Sequence, residues 1–535
     1  MKTLKSKIKK LMTLFLVGSV IFIFNSCSED PINMDEIGNA EQLINWNDLL
    51  SELDLESEIA FVQNRESIQE AVDAALPGDV IYIEPGTYQE SFDNNKSDVK
   101  LIGLSLNPND LEIKNLKNNN IDILKLYNQK SIDNFKRNSQ ARGKRSHITD
   151  FSRTELEGGI AHYKFSVRMG DGEFDIVQIH RVVHESRPYH PVRTKANVFM
   201  VHGAFTGFEG TFLANGIETS DINANTSAPF NLASKNVDVW GIDMGWTAVP
   251  NSLDPAGDFS FFEGWGYEKD ARHTLKAMKI ARMIRGLTGQ GFSGLNILGY
   301  SSGNTVAYAA ADSETQESNM MKRHIKGIIS VDNAFKTLDT NSGCKTAGEV
   351  ADEIAVGQLQ NMNGVFFKSL ADLAIANPDG TPSLLGPNFT NLQAFRFVFY
   401  GNVIVGFHFF GGNLGGPFYS DETRNLLTVS GYSYYMPHLL WQEIDAVNCS
   451  SMDVTFDDNL ELINVPILYI GANGGSGAEA GYYTGTLTAS ADITNHLVSV
   501  NGDPATDFGH VDMWVGNDAD QLVWSKLHSW IKSHK

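Results

Sequence analysis

The sequence predicts an α/β protein built on a mainly parallel sheet with helices on both faces. Three apolar runs, at 196–201, 237–242 and 295–298, have the length and hydrophobicity of buried strands. A long helical pattern over 267–287 separates the second run from the third. Strands that alternate with helices in this way usually pair in parallel and are covered on both faces.

Length and charge restrict the class of protein. The chain has 535 residues, which is enough for two or three domains and at least one large core. Its formal net charge is −22, from 42 Lys and Arg against 64 Asp and Glu. An acidic surface of this kind argues against nucleic acid as a partner and favours solubility.

The first 27 residues have the pattern of an export signal. Five lysines in the first ten residues precede an apolar run, Leu11–Phe24, that is too short to cross a bilayer comfortably. The end of this segment resembles a bacterial lipoprotein signal, which implies lipid on Cys27 and cleavage before it. Ser28-Glu29-Asp30 resembles the acidic tag of surface-exposed lipoproteins in Bacteroidetes-type bacteria. We expect an outer-membrane anchor that faces the cell surface or the periplasm; an ordinary secretory signal is the alternative.

A short module precedes the α/β domain. Residues 58–127 contain a short amphipathic helix at 67–75 and strands at 80–83 and 100–103, separated by turns. This stretch resembles the opening turns of a pectin-lyase-type parallel β-helix. The resemblance implies an accessory module with possible glycan contact. A polar tether over 28–57 is expected to precede it.

A basic, poorly apolar segment separates this module from the rest of the chain. Residues 128–150 contain six Lys and Arg and few apolar side chains, which indicates a solvated linker. The α/β domain is then expected over 151–535.

The most informative motif is Gly299-Tyr300-Ser301-Ser302-Gly303. It follows the strand at 295–298 and precedes a helical pattern at 304–311. A strand, a tight turn and a helix form the context in which G-x-S-x-G exposes a serine above a sheet. The glycines remove Cβ atoms that would clash in the turn. Ser301 is therefore the candidate nucleophile.

From about residue 155 to the C-terminus, the chain resembles the α/β-hydrolase superfamily. The resemblance is carried by His202-Gly203, Gly241-Ile242-Asp243, the turn around Ser301 and Gly509-His510-Val511-Asp512. It implies a mainly parallel sheet with a helical cap inserted at about 337–460. This insertion is rich in Phe and Tyr, some of which should form an apolar acyl pocket.

The resemblance also implies a base and an acid for the serine. His510 follows the last predicted strand, where the superfamily carries its general base. The usual acid position, after the strand at 465–470, holds no carboxylate. Some lipases of the superfamily place the acid after the preceding strand, which here ends at Asp332. Asp332 is the first candidate, and Asp492 and Glu479 are the alternatives.

An oxyanion site is expected next to the nucleophile. The backbone N–H of Ser302 is one predicted donor, and the second is expected from Ala204 or Phe205, after His202-Gly203. His202 resembles the structural histidine beside the oxyanion loop and is not expected to be the base.

Three cysteines occur in the chain. If Cys27 carries lipid, Cys344 and Cys449 remain, near the two ends of the cap insertion. An even pair in an exported protein favours a disulfide, and two buried thiols are the alternative.

Together, these features predict a serine hydrolase that cleaves carboxylic esters, as a lipase or esterase, through an acyl-enzyme. No metal or other cofactor is expected. The partners would be a small-molecule or lipid ester and the membrane, through the lipid anchor. A non-catalytic, glycan-binding or adhesion lipoprotein is the alternative from another class. An acyltransferase or a peptidase of the same fold is the alternative among enzymes.

Overall fold

The computed structural model describes residues 57–90, 96, 98–113, 121–126, 130, 148–213, 227–401 and 408–535. The predicted signal with Cys27, nearly all of the tether and most of the linker lie outside the described residues. In the part of the chain that is described, no helix combines the length and the apolar character needed to span a bilayer.

The N-terminal module is built on parallel strands. Four of its strands pair in the order β1-β2-β4-β6, and β3 pairs with β5. Helix α1, Ile68–Ala74, begins after Ser67, whose hydroxyl accepts a hydrogen bond from Glu70 N–H. The strands are β1 Ile59–Val62, β2 Val80–Ile83, β3 Gly86–Tyr88, β4 Lys100–Ser105, β5 Leu111–Ile113 and β6 Ile121–Lys125. The assignment of this module to the β-helix class stays a prediction.

The module packs against the α/β domain through aromatic and charged side chains. The rings of Phe61 and Phe292 lie 4.9 Å apart, and the guanidinium of Arg282 lies 4.4 Å from the Phe61 centroid. Lys322 pairs with Asp79 at 2.8 Å, and both side chains are buried. The module thus docks on the α/β domain through an aromatic contact and a buried ion pair.

The main sheet has ten strands in the order β20-β19-β14-β13-β11-β12-β9-β8-β7, and β10 pairs with β9. Neighbours from β20 to β12 are parallel, whereas β12, β9, β8 and β7 are antiparallel. The ten strands are β7 Ile148–Glu155, β8 Ile160–Arg168, β9 Ile176–Arg187, β10 His190–Pro191, β11 Ala196–Val201, β12 Val237–Asp243, β13 Leu295–Tyr300, β14 Ile325–Val331, β19 Ile467–Ala472 and β20 Ile493–Val498. Between β14 and β19, β15 Gln360–Asn361 pairs with β18 Met436–Pro437, and β16 Gly412–Asn413 pairs with β17 Gly416–Pro417, in two separate two-stranded sheets. The mainly parallel sheet is as predicted.

Strand β7 differs from the sequence-based division of the chain. It begins at Ile148, inside the predicted linker 128–150, and it pairs with β8 at the edge of the sheet. Its side chains are exposed or half-buried. Because an edge strand of this kind carries no apolar run, its pattern resembles that of a solvated linker.

Helices pack against this sheet and one another. Helix α2 contacts β9 and β12, α3 contacts α4, and α12 contacts β11. The helices after α1 are α2 Ala228–Ser234, α3 Tyr267–Leu287, α4 Ser302–Thr315, α5 Cys344–Ala355, α6 Asn363–Ala376, α7 Asn391–Phe399, α8 Glu422–Ser430, α9 His438–Ala446, α10 Glu479–Thr486, α11 Asp512–Val515 and α12 Ser525–Ser533.

In its described residues, the insertion between β14 and β19 contains the five helices α5–α9. A disulfide joins Cys344, the first residue of α5, to Cys449, which follows α9. Helices α5 and α9 also contact each other. The disulfide therefore connects the beginning of this insertion to its end.

Candidate active site

Ser301 occupies a strained turn between β13 and α4. Its φ and ψ are 55° and −128°, a conformation that L-residues rarely adopt. The turn depends on its glycines. A Cβ atom at Gly299 would lie 2.5 Å from Asn304 Cα, and one at Gly303 would lie 2.5 Å from Val201 O. The strain and the close packing together hold the serine at the carboxyl end of the sheet.

The loop after β11 lies directly beside this serine. A Cβ atom at Gly203 would lie 2.9 Å from Ser301 Cβ and 3.4 Å from its Oγ. Glycine at 203 therefore allows the backbone of the loop to approach the hydroxyl closely, as an oxyanion loop must.

Two asparagines, which the sequence analysis did not identify, stabilise the turn. The amide of Asn333 donates to Ser301 O at 2.9 Å, and the amide of Asn304 donates to Asn333 O at 3.1 Å. They link the ends of β13 and β14. The position of Asn333 at a strand end, next to Asp332, was the only sequence signal for this role.

His510 packs against Tyr300, the residue that precedes Ser301. Its ring stacks on Tyr300, with centroids 4.7 Å apart, and the Tyr300 hydroxyl donates to His510 O at 3.2 Å. The Phe409 ring lies 6.5 Å from the imidazole on another side. The imidazole is buried.

Asp332 contacts this imidazole at the end of β14. Its Oδ2 lies 2.7 Å from His510 Nδ1, although the two residues are 178 positions apart. Its Oδ1 accepts hydrogen bonds from the N–H groups of Ala472 and Ser476, at 2.7 and 3.1 Å. The carboxylate is completely buried. The last residue of β19 and the loop after it, which has no carboxylate of its own, therefore supply the amides that hold Asp332.

The two alternative acids have other positions. Asp492 precedes β20, is exposed, and pairs with His534 Nε2 at 3.0 Å. It therefore lies at the amino end of its strand, whereas Asp332 and His510 follow the carboxyl ends of theirs. Glu479 begins helix α10, and its side chain lies outside the described part of the chain.

The predicted oxyanion donors lie at two neighbouring backbone segments. Ser302 is the first residue of α4, where helical N–H groups have no intrahelical partner. Phe205 has a φ of 59°, and its carbonyl accepts a hydrogen bond from Ser433 N–H at 2.6 Å. The Phe205 ring contacts Trp441 of the insertion, at 6.1 Å between centroids. The inserted helices therefore pack directly on the loop that contains Ala204.

His202 connects two loops and does not contact Asp332. Its Nδ1 donates to Gly203 O at 2.8 Å, and its Nε2 accepts from Met244 N–H at 3.1 Å. Burial lowers its pKa, so the ring is neutral. Both ring nitrogens are engaged with backbone, which is the structural role expected for this residue.

Asp512 attaches the loop that contains His510 to the insertion. Its Oδ2 accepts hydrogen bonds from Gly411 N–H at 2.6 Å and Gly509 N–H at 2.9 Å. His510 N–H donates to His408 O at 2.9 Å. Burial raises the pKa of Asp512 to about 6. The glycine-rich segment that begins at Gly411 thus supports the His510 loop.

One group of side chains has the composition of a metal site among the described residues. His162, His180 and Glu209 each offer a ligand atom within 4.8 Å of the others. His162 Nε2 lies 2.9 Å from His180 Nδ1, the angle between the two ring planes is 10°, and the ring centroids are 5.2 Å apart. In this arrangement the two nitrogens point at each other, as in a hydrogen bond, and not at a common third position. The geometry favours a hydrogen bond over a metal.

Comparisons with known proteins give similarity to solved structures of hydrolases. No family model and no curated protein matches the chain. A candidate lipase from Sulfolobus solfataricus is 17% identical, with a TM-score of 0.49 over 72% of this chain and 100% of that chain. A carboxyl esterase from Bacillus coagulans is 11% identical, with a TM-score of 0.37 over 70% and 97%. A proline iminopeptidase from Mycobacterium smegmatis is 12% identical, with a TM-score of 0.34 over 69% and 98%.

These three proteins have different activities in their names, and the similarities do not select a reaction. The fold is defined by the molecule itself. Its mainly parallel strand order and the strand–turn–helix at Ser301 are those of the α/β-hydrolase fold.

Proposed function

We propose that this protein is a serine hydrolase that cleaves carboxylic esters through an acyl-enzyme intermediate. The observation that carries the proposal is the 2.7 Å hydrogen bond between His510 and Asp332, next to the strained turn of Ser301. A serine hydroxyl is a weak nucleophile until a base accepts its proton, and the base must itself be oriented.

In this mechanism, Ser301 Oγ attacks the ester carbonyl carbon while His510 Nε2 accepts the hydroxyl proton. The tetrahedral intermediate collapses, the ester C–O bond breaks, and His510 returns the proton to the leaving alcohol. Water then attacks the acyl carbonyl carbon while His510 accepts its proton. The C–O bond to Ser301 Oγ breaks, His510 returns the proton to Oγ, and the acid product leaves. Asp332 accepts a hydrogen bond from His510 Nδ1–H throughout and stabilises the imidazolium.

The oxyanion of each tetrahedral intermediate would accept hydrogen bonds from backbone N–H groups. Ser302 supplies one and Ala204 or Phe205 supplies the other, because both segments adjoin Ser301. Two fixed donors in a buried site stabilise the developing charge without reorganisation. The chemistry requires no cofactor.

The aromatic insertion supports an ester with an apolar acyl group. The rings of Phe367, Phe399 and Phe409 contact one another, with centroids 5.1–5.7 Å apart. Phe409 also adjoins the His510 ring. A lipase or esterase substrate with an alkyl or aromatic acyl group suits such a wall.

We also propose that the protein is a lipoprotein of the outer membrane, anchored through Cys27. The support is the signal-like sequence of residues 1–27. Metabolic labelling with an alkyne fatty acid should label the wild type and not Cys27→Ala. Equal labelling of both would contradict the anchor.

A fluorophosphonate probe and p-nitrophenyl esters of graded chain length test the reaction. Wild type should be labelled and should hydrolyse the esters, whereas Ser301→Ala should lose both properties. Ser313→Ala, an exposed serine on the same helix α4, is the matched control and should retain both. A folded wild type that is neither labelled nor active would contradict the proposal and favour a non-catalytic surface-binding protein.

A further inference from the structure

A row of polar side chains that contacts the oxyanion loop, residues 204–208, is not used by the proposed reaction. It comprises His162 on β8, His180 on β9 and Asp243 at the end of β12. The His180 side chain is completely buried, and His162 is nearly so. Buried polar groups of this kind are costly unless they hydrogen-bond, and such networks often fix a local conformation.

The inner end of the row contacts the backbone of the loop. His180 Nε2 lies 3.1 Å from Asp243 Oδ2. The other carboxylate oxygen, Oδ1, accepts a hydrogen bond from Phe208 N–H. A Cβ atom at Gly207 would lie 2.7 Å from Oδ1. Asp243 is thus packed against the segment that directly follows Ala204 and Phe205.

The outer end of the row reaches two half-buried charged side chains. His162 Nδ1 lies 3.9 Å from Glu209 Oε1, and Lys164 pairs with the same oxygen at 2.9 Å. Burial is the main cause that lowers the pKa of His162 to about 3, so its ring is uncharged at neutral pH. The hydrogen bond between the two imidazoles therefore fixes the orientation of the rings, and His162 contributes no charge.

The carboxylate needs both neighbours to keep its orientation. Because Asp243 accepts hydrogen bonds only, the nitrogen of His180 that faces it carries a proton. That contact aims the second oxygen at Phe208 N–H. In turn, His162 restrains rotation of the His180 ring, because His162 Nε2 lies 2.9 Å from Nδ1, the other ring nitrogen of His180.

We propose that His162 and His180 are positioning residues that act through Asp243 to hold the oxyanion loop at residues 204–208. This inference rests on the proposed function. The loop is held by Asp243, which accepts from Phe208 N–H, and by Ser433, whose N–H donates to Phe205 O. Loss of the Asp243 contact would let the backbone donor at Ala204 move, and oxyanion stabilisation depends steeply on the positions of its donors.

Two substitutions of His180 separate positioning from simple burial. In His180→Gln, the side-chain amide reaches the place of Nε2 and can still donate to Asp243. In His180→Asn, the amide reaches only the place of Nδ1, so the contact with Asp243 is lost. His273→Asn, on α3, is the matched control for the loss of a buried histidine.

We expect His180→Asn to lower kcat about ten- to hundredfold with little change in KM. It should weaken binding of a trifluoromethyl ketone, which forms a tetrahedral oxyanion on serine, by the same factor as kcat/KM. His180→Gln should lose clearly less kcat than His180→Asn, because it keeps a donor to Asp243 although it also loses the contact with His162. His273→Asn should lower the melting temperature and leave kcat unchanged.

Equal losses in the two His180 variants, or wild-type kinetics in His180→Asn, would overturn the positioning role. If His180→Asn does not fold, the pair His162→Gln and His162→Asn decides the question in the same way. Only Gln reaches the place of the Nε2 that contacts His180. A wild type without activity or labelling would instead overturn the proposed function, and the positioning role with it.

Discussion

Gly475 packs so closely against Asp332 that no side chain fits between them. A Cβ atom at position 475 would overlap Oδ2 of Asp332 and lie 2.9 Å from its Cγ. The same Oδ2 is the partner of His510 Nδ1. The glycine is therefore part of the carboxylate's binding site, although it carries no functional group.

From this packing we predict that Gly475→Ala lowers kcat/KM for p-nitrophenyl esters about ten- to hundredfold, because the methyl group displaces the carboxylate. Gly348→Ala in α5 is the control, since a Cβ there would contact only Met452 Cε, at 3.8 Å. It should leave the kinetics unchanged. Wild-type kinetics in Gly475→Ala would show that the position of Asp332 does not matter.

The identity of the acid can be tested by isosteric substitutions. Asp332→Asn should lower kcat by roughly a thousandfold or more, because an amide cannot stabilise the imidazolium. Asp492→Asn removes only the ion pair between the exposed Asp492 and His534. Because exposed ion pairs contribute little free energy, kcat should change less than about twofold. Steady-state kinetics of the two variants decide between them. The reverse order of effects would identify Asp492 as the functional acid.

Glu314 should make stability depend on pH. Burial is the main cause that raises its pKa from 4.5 to about 7, although its oxygens accept from the N–H groups of His324 and Ile325. Between these values the folded state binds a proton that the unfolded state has released. The free energy of unfolding should therefore fall as the pH rises through this window, by up to about 3 kcal/mol, and then level off.

Calorimetry of wild type and Glu314→Gln between pH 5 and 8 measures this effect. The wild type should lose more of its melting temperature than the variant as the pH rises, since Gln does not titrate. Other buried carboxyls, such as Glu443 and Asp270, have raised pKa values and contribute in the same direction to both proteins. Parallel pH profiles would contradict the assignment to Glu314.

The disulfide between Cys344 and Cys449 should stabilise the protein without taking part in the reaction. It closes a loop of 105 residues, so its removal in the double Ser variant should cost about 2–4 kcal/mol of unfolding free energy. Alkylation of the denatured, unreduced protein should leave both cysteine peptides unmodified by mass spectrometry. Alkylation of both without reductant would show that they are free thiols.

Much of the fold could be predicted from local sequence patterns. The apolar runs at 196–201 and 295–298 and the helix at 267–287 correspond to β11, the first four residues of β13, and α3. These segments are buried along their length or on one face, so hydrophobic periodicity reports them. Strand β7 was not recognised, because an exposed edge strand carries no such pattern.

Contacts between distant segments were not readable in the same way. The sequence left Asp332, Asp492 and Glu479 open as acids, since each fits the chain order. The row from His162 to Asp243 was also invisible, because its members lie on three strands and share no motif.

The chain's own sequence determined the turn around Ser301, because a strand, closely spaced glycines and a helix act over a few residues. Tertiary structure alone decided that His510 contacts Asp332, that the amides of Ala472 and Ser476 hold this carboxylate, and that Asp243 contacts the loop after β11. Those pairings depend on strand order and register, which bring together residues as far as 178 positions apart. Local propensity contains no information on such distances, whereas the packing of the whole sheet does.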